Sequence, residues 1–277
     1  MKDRTLKDDR LVRDYEKPFG WWGLDRDAPH ALTLPRLIAT GTLAAGEAAL
    51  LTLAVEMRRS IIVAAGEDQA GKTTVLTALL AFLDAATRPI YIRGIYERFE
   101  YLANLDPAER YVLCNEISAH LPTYLWGRGV RYLFDGLRAG FPLATTMHAE
   151  SAADVLATLQ AYPLEAPPAH VAGLDLVVVL KRGMLDGREV RRVVAIERVT
   201  ERRGGPALQS LAIRAPLRSA PQLFSGRMIA ALVDWAGITD EEASRLLATQ
   251  ERFLSDCAAN FGDDPDGFAR ALERFRS

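Results

Sequence analysis

The chain is short of cysteine, of excess charge of either sign, and of long apolar stretches. Its two thiols, Cys114 and Cys257, stand far apart in 277 residues, with no CxxC spacing. That argues against a disulfide framework and a cysteine-based metal site, and makes a reduced, cytoplasmic setting the expectation. Formal net charge is −2, so nothing global points to nucleic acid or an anionic membrane. Basic residues do cluster locally, at Lys181-Arg182 and Arg191-Arg192. The longest largely apolar run outside a motif, Leu174 to Leu180, is far below the roughly 20 residues that span a bilayer. Met1 to Lys17 is charged and lacks an apolar centre, which gives no expectation of a secretory signal. Any membrane contact is expected to be peripheral, through a partner.

What is present is ordinary for a globular protein, with 49% hydrophobic and 25% charged residues, enough for one sizeable core and a smaller appendage. Residues 1–30 are polar and irregular, broken by Pro18, the Trp21-Trp22 pair and Pro29. Thr33, with Pro35 at the first turn, suits a helix start, and Leu43 to Met57 has a helical period. Ser60 to Ala65 reads as a buried parallel strand, Gly71 to Leu83 as a helix, and Pro89 to Ile92 and Tyr111 to Cys114 as two further strands. Leu121 to Ala139 reads as a helix, Phe141 to Thr146 as a strand and Ser151 to Gln160 as a helix. Strands alternating with helices imply a parallel sheet with helical crossovers. Beyond Pro163 the expectation changes to antiparallel strands over Asp175 to Lys181, Glu189 to Val199 and Leu208 to Arg214. The Asp186-Gly187 turn would join the first two. The stretch Pro216 to Pro221 leads into helices over Met228 to Trp235, Thr239 to Asn260 and Asp266 to Phe275, with Thr239 and Glu242 spaced as a capping box. The division is a 1–30 segment, a 31–215 α/β domain and a 216–277 helical subdomain.

Chemistry concentrates in Gly66-Glu-Asp-Gln-Ala70-Gly71-Lys72-Thr73-Thr74, which fits GxxxxGK[ST] without a mismatch. Glycines let backbone N–H groups wrap phosphate oxygens; Lys72 would reach the β and γ phosphates, and the Thr73 hydroxyl would hold Mg²⁺. The helix opening at Gly71 adds its positive end. A glycine turn with a surface lysine is the plainer reading, but the strand before and the helix after are the context that a phosphate loop requires. ATP with Mg²⁺ is the expected ligand, since no guanine-reading NKxD follows.

Tyr111-Val-Leu-Cys-Asn-Glu116 is an apolar strand ending in an acid, expected to lie beside the loop's strand. Glu116 would polarise the attacking water as base and help organise the metal shell, directly or through water. An acid at a strand end also serves solubility alone. In Ala144-Thr-Thr-Met-His148, Thr146 and His148 fall at the carboxyl end of a strand, the edge where open α/β sheets bind ligands. His148 would donate to the γ-phosphate or sense its loss, although a lone histidine is more often structural.

The ordered boxes (the loop, LCNEIS, and Thr-x-His followed by Ala-x-Ser) resemble the Walker A, Walker B and His boxes of the type II/type IV secretion and pilus ATPases, chiefly the Tad and archaeal pilus members. The resemblance covers about residues 30–277. It implies a RecA-like P-loop NTPase sheet with helical crossovers, an antiparallel extension and a C-terminal helical subdomain. It also implies a cytoplasmic hexamer that couples ATP hydrolysis to export or pilus assembly by driving an inner-membrane platform protein, with no direct nucleic-acid contact.

Several features depart from that pattern. The family's amino-terminal domain is reduced to about thirty residues. Tyr91-Ile92-Arg93-Gly94 stands where an acid-ended strand, the Asp box, belongs, leaving Glu97 and Glu100 as distant substitutes. An arginine-bearing helix is missing, and Arg93, Arg98, Arg128 and Arg138 are the candidates to replace it. Lysine and arginine at 181, 182, 191 and 192 fit solvated strand edges better than a pore or a partner contact. Packing is the plainer reading for Trp21, Trp22 and Trp126. Two further readings follow: a hydrolysis-deficient nucleotide-binding relative that joins a fuller ATPase paralogue, and a small-molecule kinase. No lid-like arginine segment supports the latter.

Overall fold

The computed structural model describes residues 14–20, 32–215 and 217–276; Trp21, Trp22, Pro29 and Pro216 lie outside them. Thr33 caps α1 (Leu34–Ala39) by accepting from the Arg36 amide, with Pro35 in the first turn. The Ala- and Leu-rich α2 (Ala45–Glu56) follows and is buried almost all round, as expected of a helix apolar on every face. Strand β1 (Ile61–Ala65) is fully buried and leads through the glycine-rich loop into α3 (Lys72–Leu80).

Next come β2 (Arg88–Tyr91), the short α4 (Tyr101–Asn104), β3 (Arg110–Ile117), α5 (Arg128–Arg138), β4 (Leu143–His148), α6 (Ala152–Gln160) and α7 (Pro168–Val171). Strands β5 (Leu176–Leu185), β6 (Arg188–Arg202), β7 (Gly205–Ile213) and β8 (Gln222–Leu223) complete one eight-stranded sheet, and α8 (Ser225–Ala236), α9 (Asp240–Phe261) and α10 (Pro265–Arg276) close the described chain.

The strand order is β2-β3-β4-β1-β5-β6-β7-β8. The first five are parallel and the rest antiparallel. This is the RecA-like α/β sheet with its antiparallel extension. Alternate residues of each central strand enter opposite cores. Ile61, Val63 and Ala65 face α1, α2, α3 and the carboxyl-terminal helices, whereas Ile62 and Ala64 face α5, α6 and α7. Helices on both faces explain why β1 is apolar throughout rather than alternating.

The extension's two hairpins turn at Asp186-Gly187 and Arg203-Gly204, all four residues with φ between 51° and 78°. Paired positive φ values define the type I′ turn that suits strand twist. The strands run well past the expected ends; β6 alone has 15 residues.

The helix expected over 121–139 begins only at Arg128. Before it, Leu125 pairs with Ile117 as a parallel bridge, donating to the Glu116 carbonyl and accepting from the Ser118 amide. Those bonds commit the 118–125 backbone to β3, and Gly127 at φ 63° turns the chain into α5. Trp126 is half-buried against the α5–α6 core.

The capping box of α9 forms as spaced, with Thr239 and Glu242 bonding each other's backbone. The helix packs across α2 and α1, and the Gln250 amide donates to the buried Thr52 hydroxyl at 3.0 Å. Its apolar face (Ala243, Leu247, Leu254, Cys257) joins the same core as β1 and α3. At the other edge, Tyr15 donates to Glu97 at 2.6 Å, and Glu16 pairs with Arg88 and Arg110 along β2 and β3. Replacing the fully buried Leu254 with alanine is expected to cost about 2–5 kcal/mol, read as a lowered urea midpoint with an unchanged slope.

Candidate functional site

The site forms where β1, β3 and β4 end together. Register aligns Val63 with Thr146 and Thr146 with Glu116, and pairs Ala65 with His148 two residues further along. Strand β3 is not the immediate neighbour of β1, as the sequence had suggested; β4 lies between them. Glu116 therefore reaches the loop across β4, above the buried Thr146. The Thr146 hydroxyl donates to Glu116 Oε2 at 3.2 Å and can alternatively use the Asn115 carbonyl at 3.1 Å.

In the loop, Gln69 takes φ 56° and Gly71 φ 93° before α3 starts at Lys72. A side chain is strained at the latter angle, and a Cβ on Gly71 would also press on the Arg191 stem at 3.3 Å. At Gly66 a Cβ would run into the Glu150 carboxylate. Gly71 is thus favoured chiefly by backbone shape, and Gly66 by the close approach of the Glu150 side chain.

A cavity of about 720 Å³ opens over this edge, lined by residues 68–75 together with Glu116, His120, Tyr124, His148 and, from the far side, Arg36, Arg191 and Arg192. It falls within the ~300–1,000 Å³ of small-molecule sites. Lys72 Nζ lies 3.2 Å from His148 Nε2 and 3.5 Å from Nδ1. His148 Nε2 in turn is 3.3 Å from Glu116 Oε1 and 3.5 Å from Asp68 Oδ1. The approach to Glu116 does not make a hydrogen bond, so Oε1 is buried with no such partner.

Burial lowers the pKa of Lys72 despite the opposing pull of Glu116, Asp68 and Glu67. Burial, with the Glu116 charge behind it, likewise raises that of Tyr124.

The structure brings Gly66, Ala70, Gly71, Lys72, Thr73, Thr74, Glu116 and His148 to one place. It does not bring in Glu97, whose carboxylate accepts from the Arg93 and Phe99 amides and from Tyr15. Nor does the cavity lining include Glu100, Arg93, Arg98, Arg128 or Arg138. Arg93 is taken up by the Asp14 carbonyl and the Phe19 ring, and Arg128 lies over Tyr132.

The arginines that do reach the rim come from α1 and β6. Arg191 donates to the Gln69 carbonyl at 2.9 Å and pairs with Glu189 at 2.7 Å. Arg192 donates to the Thr40 carbonyl. The Arg191-Arg192 pair thus borders the cavity while remaining partly solvated on its strand. His120 also escaped sequence reasoning, because 121–139 reads as a helix that would carry the preceding turn away from β3. Pro122 and Gly127 were the available signals.

No protein-family model matches the chain. Two uncharacterized proteins of Methanocaldococcus jannaschii are similar to it. MJ1287 is 27% identical over 242 residues, covering 79% of this chain and 88% of that protein. MJ0900 is 27% identical over 190 residues, covering 62% of this chain and 34% of that protein. Among solved structures, the VirB11 ATPase of the Brucella suis type IV secretion system, in complex with sulphate, superposes with TM-score 0.44 at 18% identity, over 70% of this chain and 64% of that one. The Legionella pneumophila ATPase DotB gives TM-score 0.35 at 12% identity, over 79% and 61%. The chain thus spans about a third of MJ0900 and less than two thirds of either solved structure. Both TM-scores lie below 0.5 and do not identify an activity. Among the described residues no helix is long and apolar enough to cross a membrane.

Because burial makes charging Lys72 unfavourable in the ligand-free fold, Lys72→Met is expected to melt at or above the parent temperature. The same change should weaken ATP uptake about 10–100-fold, the loss of one charge-assisted contact. Thermal unfolding and calorimetry on one preparation check both.

Proposed function

We propose that the chain binds Mg-ATP in the loop between β1 and α3 and hydrolyses it as a secretion-type motor ATPase. One observation carries the reading: the buried Glu116 Oε1, which makes no hydrogen bond, and the Lys72 ammonium converge on the glycine loop at a single sheet edge. The residues fit the group. The positive-φ loop and the N-terminus of α3 suit an anion, and the cavity is large enough for a nucleotide. Thr73 and Glu116, the latter directly or through water, would hold Mg²⁺, which when bound neutralises phosphate charge and orients the phosphoryl oxygens.

Within the chain, Lys72 binds the phosphates, leaving His148 free to donate to the same group or to report its departure. Glu116 orients the attacking water and accepts its proton. Thr146 holds the other carboxylate oxygen, so that Oε1 keeps one direction. Arg191, on a strand separate from the loop, would be the cation that a transferring phosphoryl group still needs. The chain would act as a homo-oligomer, a hexamer on the secretion-motor pattern. It would be peripheral at the inner membrane through a platform protein and would serve export or pilus assembly, alone or beside a fuller paralogue. The 31–215 portion would form the nucleotide domain and 216–277 the subdomain that follows it.

Glu116→Gln is expected to keep Mg-ATP affinity within about threefold while slowing turnover by about 10²–10⁴, the usual contribution of a positioned general base. Steady-state hydrolysis with calorimetric binding decides it. If parent and variant hydrolyse equally slowly while both bind ATP, the motor reading fails and the nucleotide-binding, hydrolysis-deficient reading replaces it. A phosphorylated small-molecule product would instead mark a kinase.

A further inference from the structure

Beside the nucleotide loop, His120, which phosphate binding does not require, joins Glu116 and His148 in a second constellation. Glu116, His120 and His148 each offer a ligand atom, and the three atoms lie within 4.8 Å of one another. The His120 and His148 rings meet edge to face at 5.5 Å between centroids. Two imidazoles and one carboxylate are the donor set of a borderline divalent ion, not of Mg²⁺, which takes oxygen ligands in a rigid octahedron. A tetrahedral ion with bonds near ~2.1 Å sets its ligands ~3.4 Å apart, so against separations of up to 4.8 Å the closure required is at most about 1.4 Å. His120 can supply it, being exposed and turning on the loop before Pro122.

A second observation also points to a ligand. The Glu116 side chain is only 9% exposed, and its Oε1 lacks a hydrogen-bond partner, although a buried carboxylate oxygen ordinarily has one. Asp68, whose Oδ1 is 3.5 Å from His148 Nε2, is placed to be a fourth ligand. Lys72 opposes a cation here, but the cavity beside it gives its flexible stem somewhere to go.

We propose that Glu116, His120 and His148 form a site for Zn²⁺ or a chemically similar divalent ion, distinct from the magnesium that accompanies ATP. Occupancy withdraws the carboxylate and the imidazole from the nucleotide. The ion is then a reversible inhibitor of the site, a consequence that rests on the hydrolytic reading above, whereas the binding itself does not.

The test uses the untagged, metal-free full chain without nucleotide, titrated with Co²⁺ and followed by visible absorption. The expected result is one ion per chain with tetrahedral bands and no thiolate charge-transfer band, since both cysteines are buried and neither belongs to the three-residue ligand set. Zn²⁺ should displace the colour. His120→Ala and His148→Ala should each weaken Co²⁺ binding at least about tenfold, the scale of a lost metal partner. The exposed position of His120 leaves the fold intact even if His148→Ala does not fold. Absent uptake, or uptake with parent affinity in His120→Ala, overturns the site. Mg-ATP calorimetry on the same preparation separates the two readings: ATP uptake without Co²⁺ uptake defeats only the metal site, and the reverse defeats only the nucleotide reading.

Discussion

Everything at the site depends on β4 lying between β1 and β3. The glycine loop belongs to one strand and the carboxylate to another, and the two do not touch. Their spacing is set by the hydrogen-bonded width of the strand between them, and β4 itself brings Thr146 and His148 to the same level. Parallel register makes this rigid, because each strand must point the same way and end at the same edge. Slipping β3 by one residue would turn Glu116 to the opposite core and expose a different side chain to the loop. The cores on the two faces guard against that slip, since the apolar residues of β3 would have to change faces with it.

The electrostatics of the edge follow from the same arrangement. Lys72 begins a helix whose positive end already faces the cavity, and burial works further against its charge. Only the carboxylates around it (Glu67, Asp68 and Glu116) offset this. A phosphate anion answers the unfavourable term directly, as an opposite charge brought near a desolvated ammonium. Stability and binding therefore pull in opposite directions at one residue, the common relation between a fold and the site it carries.

The parts legible in the sequence were those decided within a few residues. The glycine spacing, the Asp186-Gly187 turn, the Thr33 cap and the Thr239–Glu242 box each follow from local chemistry, and the strand–helix alternation follows from the period of apolar residues. Strand order was not legible, since it is decided by packing between segments dozens of residues apart. That is why β3 was expected beside β1. Arg191 escaped for the same reason. On its own strand it reads as an exposed edge residue, and only folding brings it over Gln69, 122 positions earlier. Residues 121–127 were mistaken for the start of the following helix, whereas the Leu125 amide finds its partner in the Glu116 carbonyl.

The Arg191 contact ties the loop to the antiparallel extension. The Gln69 carbonyl accepts from a guanidinium whose other end is held by Glu189, and the same strand holds Thr40 through Arg192. These bonds join the loop, the end of α1 and β6, three segments with no backbone hydrogen bond to one another near the rim except Val193 to Thr42. A guanidinium shared between a carbonyl and a carboxylate has donors left for an anion in the cavity. The same five N–H groups thus hold the loop to the extension and border the cavity.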